Sequence, residues 1–382
     1  MSNELFAAAL GVEQPWYVKD VNFDAGKRLL TIAIDFKKGS RFPYEGTEGQ
    51  HPVHDTQTKR YRHLNFFQHE CYLEVRTPRL KLPDGRVVLI EPGWAGKLSG
   101  FTLLFEALIL AMCRQMPFAA VARLVGESWH RVQAICERYV ELALAKADLS
   151  KLTMLAIDET SCRRGHNYLT FAADAEAHKV VFVTEGRDAK TIAGFSEFLS
   201  AHKGTPEQIA SVSIDMSKAF IKGVTKHLPN ARITFDKFHV VAHASKAVDQ
   251  TRRAEQKTDP SLKGLRWALL KDRQRLPESQ RADLDAFVAQ VSAMLKRWCS
   301  NVKRSKVEAM KKVAQMILDH FEGVTAWAQT RQTNGFLEAI NGPFQPAKRK
   351  ARGYGRFQTM RTVIFLVAGN LNFSAVNPHA KA

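Results

Sequence analysis

The sequence predicts a multidomain α/β protein: a mixed sheet with a helical insertion, preceded by a helix-turn-helix region and a small β-rich amino-terminal module. Three observations predict it. Short β-like runs fill the first 95 residues, helical periodicity begins near Phe101, and strands alternate with helices after Leu149 until a long strand-free stretch. A chain of 382 residues has room for two or three domains. The predicted regions are 1–95, 96–149, 150–250, 251–329 and 330–382.

In the first region the predicted strands are Arg28–Phe36, Cys71–Thr77 and Arg86–Glu91, separated by turn residues. In the third region the predicted strands are Met154–Asp158, Tyr168–Ala173, Val180–Thr184, Ile209–Asp215 and Ala231–Phe235. Helices are predicted at Ala189–Ala201, at Ser217–Leu228 and from about Val240. Residues 251–329 show no strand pattern and predict a basic helical insertion, and a last helical region begins near Thr330.

The second region contains two short helices joined by a tight turn. Ala119–Val125 forms the first, Gly126 makes the turn, and Ser128 caps a second helix that ends near Val140. This is the helix-turn-helix arrangement, whose second helix enters the major groove of DNA. A helical hairpin packed in a core would give the same pattern. Side chains of the second helix that could reach base edges or phosphates are Trp129, His130, Arg131, Gln133 and Arg138.

The charge of the chain indicates its partner. Its formal net charge is +18 and its isoelectric point is about 9.8, which favours a polyanion or an anionic membrane. The longest apolar stretch, Phe101–Cys113, contains Glu106 and is shorter than the ~20 residues of a membrane span, and the amino terminus has no secretory pattern. Five scattered cysteines fit a reducing cytoplasm better than a disulfide framework. Nucleic acid is therefore the expected partner.

Three carboxylates are candidates for metal chemistry. Asp158 and Asp215 each close an apolar strand, and in open α/β sheets ligands gather at the carboxyl ends of strands. Glu338 heads a segment with no further acid up to the last residue. Two hard cations bound by such oxygens could promote phosphoryl transfer, although most acidic residues are simply solvated surface charges. The basic residues in that final segment that could bind phosphate are Lys348, Arg349, Lys350, Arg352 and Arg356.

Six blocks of the sequence occur in the order expected for one known family. They are RYRHLNFFQHECYLEVRTPRLKL, MPFAAVARLVGES, IDET, SIDMSKAFIKGV, DKFHVVAHASKAVD and TNGFLEAINGPFQPAKRKARGYGRFQTMR. With them the chain resembles insertion-sequence transposases of the ISL-three family over most of residues 45–377.

The resemblance implies an RNase H-like catalytic domain with a D-D-E triad at Asp158, Asp215 and Glu338, which would bind two Mg²⁺ or Mn²⁺ ions. It also implies a helical insertion before the glutamate. Asp236 and His239 fall in the family's D-x-F-H-V block, where a supporting role near the metals and a plain structural role for His239 are equal alternatives.

The chain departs from the family pattern in two places. The zinc ribbon that usually opens these proteins lacks its paired cysteines, and the residues that remain are His51, His54, His63, His69 and Cys71. Zinc is therefore not expected. The helical insertion looks shortened after residues 287–290.

The leading hypothesis is a DNA transposase that binds the terminal inverted repeats of its element and catalyses metal-dependent strand cleavage and transfer. Its partners would be double-stranded DNA and, because two ends must be held together, a second copy of itself. It would work in the bacterial cytoplasm at the nucleoid. The shortened insertion favours one alternative, a catalytically decayed transposase that only binds DNA or represses its element. An RNase H-like nuclease is a further alternative.

Overall fold

A computed structural model describes residues 2–98, 100–163, 167–255, 295–330 and 356–380. It confirms a mixed α/β protein with two mixed sheets. The chain divides into two compact units: Met1–Ala145 with Leu371–Ala382, and Lys146–Asn370. The five-region division predicted above remains a prediction, but the final residues differ from it. Leu371–Ala382 groups with the first unit, whereas the prediction joins these residues to 330–370.

The first unit contains a six-stranded sheet. Its strand order is β1-β2-β5-β4-β3 with β6 on β5, and only the β2–β5 pairing is parallel. The strands are β1 (Trp16–Asp24), β2 (Leu29–Phe36), β3 (Arg41–Pro43), β4 (Gln50–Phe66), β5 (His69–Lys81) and β6 (Val87–Leu89). Alternate residues of β2 and β5 are buried and form its core, as period-2 patterning requires. The three strands predicted from sequence are confirmed as β2, β5 and β6.

Three helices follow in the same unit: α2 (Leu103–Cys113), α3 (Phe118–Val125) and α4 (Trp129–Leu144), after a first helix α1 (Ser2–Leu10). The helix-turn-helix is confirmed. Gly126 ends α3 with φ of 73°, a left-handed conformation that glycine adopts without strain, and the Ser128 hydroxyl caps α4 by accepting the Arg131 N–H at 3.3 Å. Helix α4 continues four residues beyond the predicted end because Ala143 and Leu144 are still buried.

The second unit contains a five-stranded sheet in the order β11-β10-β7-β8-β9. Its strands are β7 (Met154–Arg163), β8 (Asn167–Asp174), β9 (Lys179–Glu185), β10 (Ser211–Ile214) and β11 (Arg232–Phe235). β7, β8 and β9 are antiparallel, whereas β10 and β11 run parallel to β7. Helices α5 (Ala189–Ala201) and α6 (Lys218–His227) bury Ile192, Phe195 and Phe220 against this sheet. The five predicted strands and the first two predicted helices are confirmed in position, but β7 runs five residues beyond its predicted end at Asp158.

The rest of the second unit is helical where the structure describes it. The helices are α7 (Lys237–Glu255), a segment at 295–304, α8 (Glu308–Asp319), α9 (Phe321–Thr330) and α10 (Phe357–Ala368). The described parts of the predicted insertion therefore carry no strand, and its shortened part lies outside the described residues. Among the helices that are described, none has both the length and the apolar composition to cross a membrane.

Candidate active site and recognition helix

Asp158 and Asp215 lie at the same level of the second sheet. β10 pairs with β7 in parallel register, with Ser213 opposite Ala156. Two residues further along each strand, the same register brings Asp215 level with Asp158. The backbone N–H of Ser217 donates to Asp215 Oδ1 at 2.9 Å, and that of Glu159 donates to Asp158 Oδ1 at 2.8 Å. Asp215 directly follows β10, as its predicted strand-end position requires, whereas the predicted end of β7 at Asp158 is wrong, because β8 pairs with β7 as far as Arg163. The two aspartates are nevertheless level with each other on neighbouring strands.

A third aspartate continues this row. β11 pairs in parallel with β10, with Phe235 opposite Ile214, so Asp236 is level with Asp215. Its backbone N–H donates to Ile214 O at 3.0 Å, and the residue is only 1% exposed. His239 lies in the first turn of α7, where its N–H donates to Asp236 O at 3.1 Å.

The electrostatics of this edge disfavour negative charge. The pKa of Asp158 is raised to about 6, mainly by burial; the Glu159 N–H and His239 oppose this shift, and the neighbouring Asp215 and Asp236 add to it. Burial also raises the pKa of Glu159, with Asp215 contributing in the same direction and Arg187 opposing it. Closely spaced carboxylates of this kind are stabilised by a bound cation.

The donor set suits a hard cation, since carboxylate oxygens are the ligands that Mg²⁺ and Mn²⁺ prefer. Within the described ranges, no three His, Cys, Asp or Glu side chains are arranged to hold an ion. Glu338, the expected third ligand, lies outside the described residues. The row of aspartates is therefore the described part of the candidate centre.

Helix α4 exposes some of the side chains that the sequence predicts to contact DNA and buries another. Trp129 is 45% exposed and stacks on His130, with ring centroids 3.8 Å apart. Arg131 is exposed, but Nη1 bonds Glu127 Oε2 at 2.9 Å and its guanidinium lies 4.0 Å from the centre of the Phe101 ring. Gln133 differs from the expectation that it lies on the polar face. It is 9% exposed, because its amide is bonded to Glu137 one turn along the helix.

The basic residues of the last predicted region are mostly outside the described residues: Lys348, Arg349, Lys350 and Arg352. Arg356 is described, and it lies exposed immediately before α10.

Two histidines of the amino-terminal module, His51 and His63, each lie within hydrogen-bond distance of a threonine hydroxyl. His51 Nε2 is 2.9 Å from Thr47 Oγ1, and His63 Nδ1 is 2.9 Å from Thr102 Oγ1. Cys71 is buried in the core of the first sheet. A further apolar cluster of this module contains the buried side chains of Phe36, Phe42 and Leu80.

Two groups of interacting side chains in the structure are not predicted by any motif in the sequence. Arg187 and Glu159 form an ion pair beside the aspartate row, with Nη1 and Oε1 3.8 Å apart. In the first unit, Glu106, Tyr139 and Asn377 form a buried polar network. Partners distant in sequence create both features, so no local motif announces them.

Comparison with known families gives this geometry a context. A family model described as a transposase, of the DDE type and the ISL3 family, matches residues 155–294 and 286–364, which together exceed half of the chain. The chain belongs to the ISL3 family of transposases. A second model, the helix-turn-helix domain of transposase family ISL3, matches residues 91–140. The two segments that match the DDE transposase model include Asp158, Asp215 and Glu338. The segment that matches the helix-turn-helix model includes α2, α3 and most of α4.

Curated relatives agree with this assignment. The chain is 26% identical over 336 residues to the transposase for insertion sequence element IS1001 of Bordetella parapertussis, covering 79% of this chain and 82% of the relative. It is also 26% identical, over an alignment of 422 positions, to the transposase for insertion sequence element IS1557 of Mycobacterium tuberculosis. This alignment covers 95% of this chain and 94% of the relative. The resemblance inferred from sequence blocks is confirmed.

Proposed function

We propose that this chain is a DNA transposase that binds the terminal inverted repeats of its insertion sequence and catalyses metal-dependent strand cleavage and strand transfer. One observation carries the proposal. Asp158 and Asp215 stand level on neighbouring parallel strands, inside the segment that matches the DDE transposase model. Its nucleic-acid partners are the double-stranded transposon ends and the target DNA.

In this proposal the second unit is an RNase H-like catalytic domain, and Asp158, Asp215 and Glu338 hold two Mg²⁺ or Mn²⁺ ions. Such ions supply activation of the attacking oxygen and stabilisation of the leaving oxygen. The backbone donors of Glu159 and Ser217 orient the two aspartates. Asp236 and His239 have supporting roles: they join the start of α7 to the end of β11 and shape the charge of the site.

DNA recognition falls to the amino-terminal end of α4. We assign base or phosphate contacts to the exposed side chains Trp129, His130 and Arg131, the last after exchange of Glu127 for DNA. Gln133 stabilises α4 through Glu137 in the described conformation. Contacts to DNA phosphates are assigned to Lys348, Arg349, Lys350, Arg352 and Arg356.

Pairing of two transposon ends requires at least a dimer on DNA, and we place the reaction in the bacterial cytoplasm at the nucleoid. The five predicted regions then have distinct tasks. The module 1–95, resembling a zinc ribbon without zinc, and the helix-turn-helix at 96–149 bind the ends. Residues 150–250 and 330–382 carry the triad around the basic insertion 251–329.

The test is cleavage of a labelled duplex that carries the element's own end, with Mg²⁺ or Mn²⁺. We expect wild-type protein to nick the end, Glu338→Gln to bind without nicking, and Glu322→Gln, which changes an exposed carboxylate on α9, to behave as wild type. Specific binding without cleavage by any of the three proteins would support the decayed transposase instead. Cleavage that ignores the repeat sequence would support a nuclease.

A further inference from the structure

An arginine with no assigned role reaches across the second sheet toward the aspartate row. Arg187 follows β9, yet its guanidinium lies 4.1 Å from the centroid of the Tyr168 ring on β8. Its Nη1 is 3.8 Å from Oε1 of Glu159 on β7. The side chain therefore spans one whole strand and ends beside the residue that follows Asp158.

The backbone before Arg187 sets this direction. Gly186 has φ of 101°, a conformation that residues with a Cβ rarely adopt. Its N–H donates to Tyr168 O at 2.9 Å, and its carbonyl accepts the Thr170 hydroxyl at 2.8 Å. After Arg187, the Asp188 carboxylate caps α5 by accepting the Lys190 N–H at 3.0 Å. The turn is therefore anchored on both sides of the arginine.

Strand register places this turn at the same end of the sheet as the candidate site, where the parallel strands β10 and β11 end. Glu159 is paired with Thr170 on β8, and Thr170 is paired with Thr184 on β9. Gly186 lies two residues beyond Thr184, toward the edge at which β10 and β11 end in Asp215 and Asp236. The turn with Arg187 thus lies at the end of the sheet at which β10 and β11 end, and Glu159, the partner of Arg187, is close enough to Asp215 for its charge to raise the Glu159 pKa.

A positively charged side chain at this end of the sheet would counter the repulsion between the carboxylates and DNA. Asp158, Glu159, Asp215 and Asp236 concentrate negative charge where an anionic DNA backbone must approach. The separation of 3.8 Å between Arg187 and Glu159 is longer than a hydrogen bond, and 52% of the Arg187 side chain is exposed. A guanidinium has five N–H donors and binds phosphate through a planar fork even while it stacks on an aromatic ring.

We propose that Arg187 binds a backbone phosphate of the DNA strand beside the phosphate that is cleaved, and that Tyr168 and Glu159 are positioning residues for it. The proposal rests on the proposed transposase function and names a DNA contact of the same site. Holding one phosphate at a fixed place aligns its neighbour with the carboxylates, which is how bidentate arginine clamps accelerate reactions.

The test compares two variants that each remove one positive charge at opposite ends of α5. Arg187→Gln changes the proposed contact, and Lys203→Gln changes an exposed lysine that is paired with Asp148 at 2.9 Å. Affinity for the end duplex is measured against salt concentration without divalent metal. We expect the slope of log K against log salt to fall by about 0.9 in Arg187→Gln, as for one lost phosphate contact, and to stay unchanged in Lys203→Gln.

Single-turnover cleavage in Mg²⁺ gives the second readout. We expect Arg187→Gln to cleave about 100-fold more slowly and Lys203→Gln to match wild type. Arg187→Lys should keep the salt slope but cleave slowly, because an ammonium lacks the planar fork. If Arg187→Gln is unfolded by circular dichroism, wild-type cleavage by Arg187→Lys overturns the proposal. Equal slopes and rates in the two glutamine variants overturn it while leaving the transposase assignment intact, and failure of wild-type protein to bind the end duplex overturns both.

Discussion

Two buried carboxylates, one in each unit, are held in opposite ways. Glu106 in α2 accepts the backbone N–H groups of Lys97 and Leu98, each at 2.7 Å, and the Tyr139 hydroxyl at 2.6 Å. Among the described residues, Asp158 on β7 is given one hydrogen bond, from the Glu159 N–H. Burial raises the pKa of both carboxyl groups. Three hydrogen-bond donors oppose the shift for Glu106, whereas for Asp158 the Glu159 N–H and His239 oppose it and two neighbouring aspartates add to it.

The difference shows that burial alone does not mark a functional acid. The network of Glu106 is closed: donors from three parts of the chain satisfy its oxygens, and an enclosed polar network of this kind fixes one arrangement of the helices. Asp158 instead lies level with two further carboxylates, Asp215 and Asp236, whose negative charges raise its pKa. The surroundings of an acid, more than its depth, therefore distinguish a structural site from a reactive one.

The largest predicted effect comes from Asp158→Asn. We expect end cleavage to fall to background, because a proposed metal ligand is lost. We also expect the metal-free variant to be more stable than wild type by about 1–3 kcal/mol at pH 7. The folded-state pKa of about 6 exceeds the ordinary value of 3.8, so this carboxyl group costs stability progressively as pH rises from about 4 to 6.

Urea unfolding of metal-free protein at pH 7 and pH 4 checks this prediction. The stability gain should be present at pH 7 and mostly lost at pH 4, where Asp158 is protonated in the folded wild-type protein. A variant less stable than wild type at pH 7 would show that Asp158 is held by a closed network as Glu106 is.

Glu106→Gln should have the opposite sign. The amide puts donor hydrogens where the Lys97 N–H, the Leu98 N–H and the Tyr139 hydroxyl already point, so one or more buried donors lose an acceptor. We expect a loss of about 2–4 kcal/mol in the free energy of unfolding. Chemical denaturation measures it, with Glu48→Gln, an exposed glutamate of the same unit, as the control that stays within about 0.5 kcal/mol.

The sequence could predict the parts of these two regions that depend on local signals. Gly126 marks the end of α3, and Ser128 marks the start of α4. The apolar runs before Asp158 and Asp215 predict the two strands β7 and β10, which pair in parallel. Each of these features follows from neighbouring residues and from the periodicity of helices and strands.

Features that depend on distant or unusual partners could not be predicted. The 17-residue strand β4 is largely polar, and it is a strand because β5 pairs with it along its length. Gln133 has a polar side chain but is buried, since Glu137 satisfies its amide. Asn377 packs against α2 and α4, to which no sequence pattern links it.

Acid should affect the two units in opposite directions through His63 and Asp158. The pKa of His63 is lowered to about 4, mainly by burial and also by the positive charges of Arg62 and His379. A histidine with a depressed pKa contributes stability that is lost as pH falls from about 6.5 to about 4, whereas the cost of Asp158 disappears over the lower part of that range.

The contribution of His63 is measured as the difference between wild type and His63→Gln in urea unfolding at each pH. We expect wild type to lose up to about 3 kcal/mol more than the variant between pH 7 and pH 4. Parallel curves would mean that the pKa of His63 is the same in the folded and unfolded protein, so that burial does not lower it.

The smallest predicted effect tests whether the closed network of the first unit depends on the far end of the chain. Asn377 is 0% exposed, and its amide donates to Leu103 O at 2.8 Å and to the Tyr139 hydroxyl at 3.0 Å. We expect Asn377→Ala to cost about 1–2 kcal/mol, because the Leu103 carbonyl loses a donor in a buried place. Asn372→Ala, which changes an exposed asparagine five residues earlier, should cost less than about 0.5 kcal/mol. Binding of the end duplex well below the unfolding midpoint should be unchanged in both variants, since neither residue lies on the exposed side of α4. Equal stability of the two variants would mean that Glu106 and Tyr139 close the network by themselves and that the carboxy-terminal segment only rests on it.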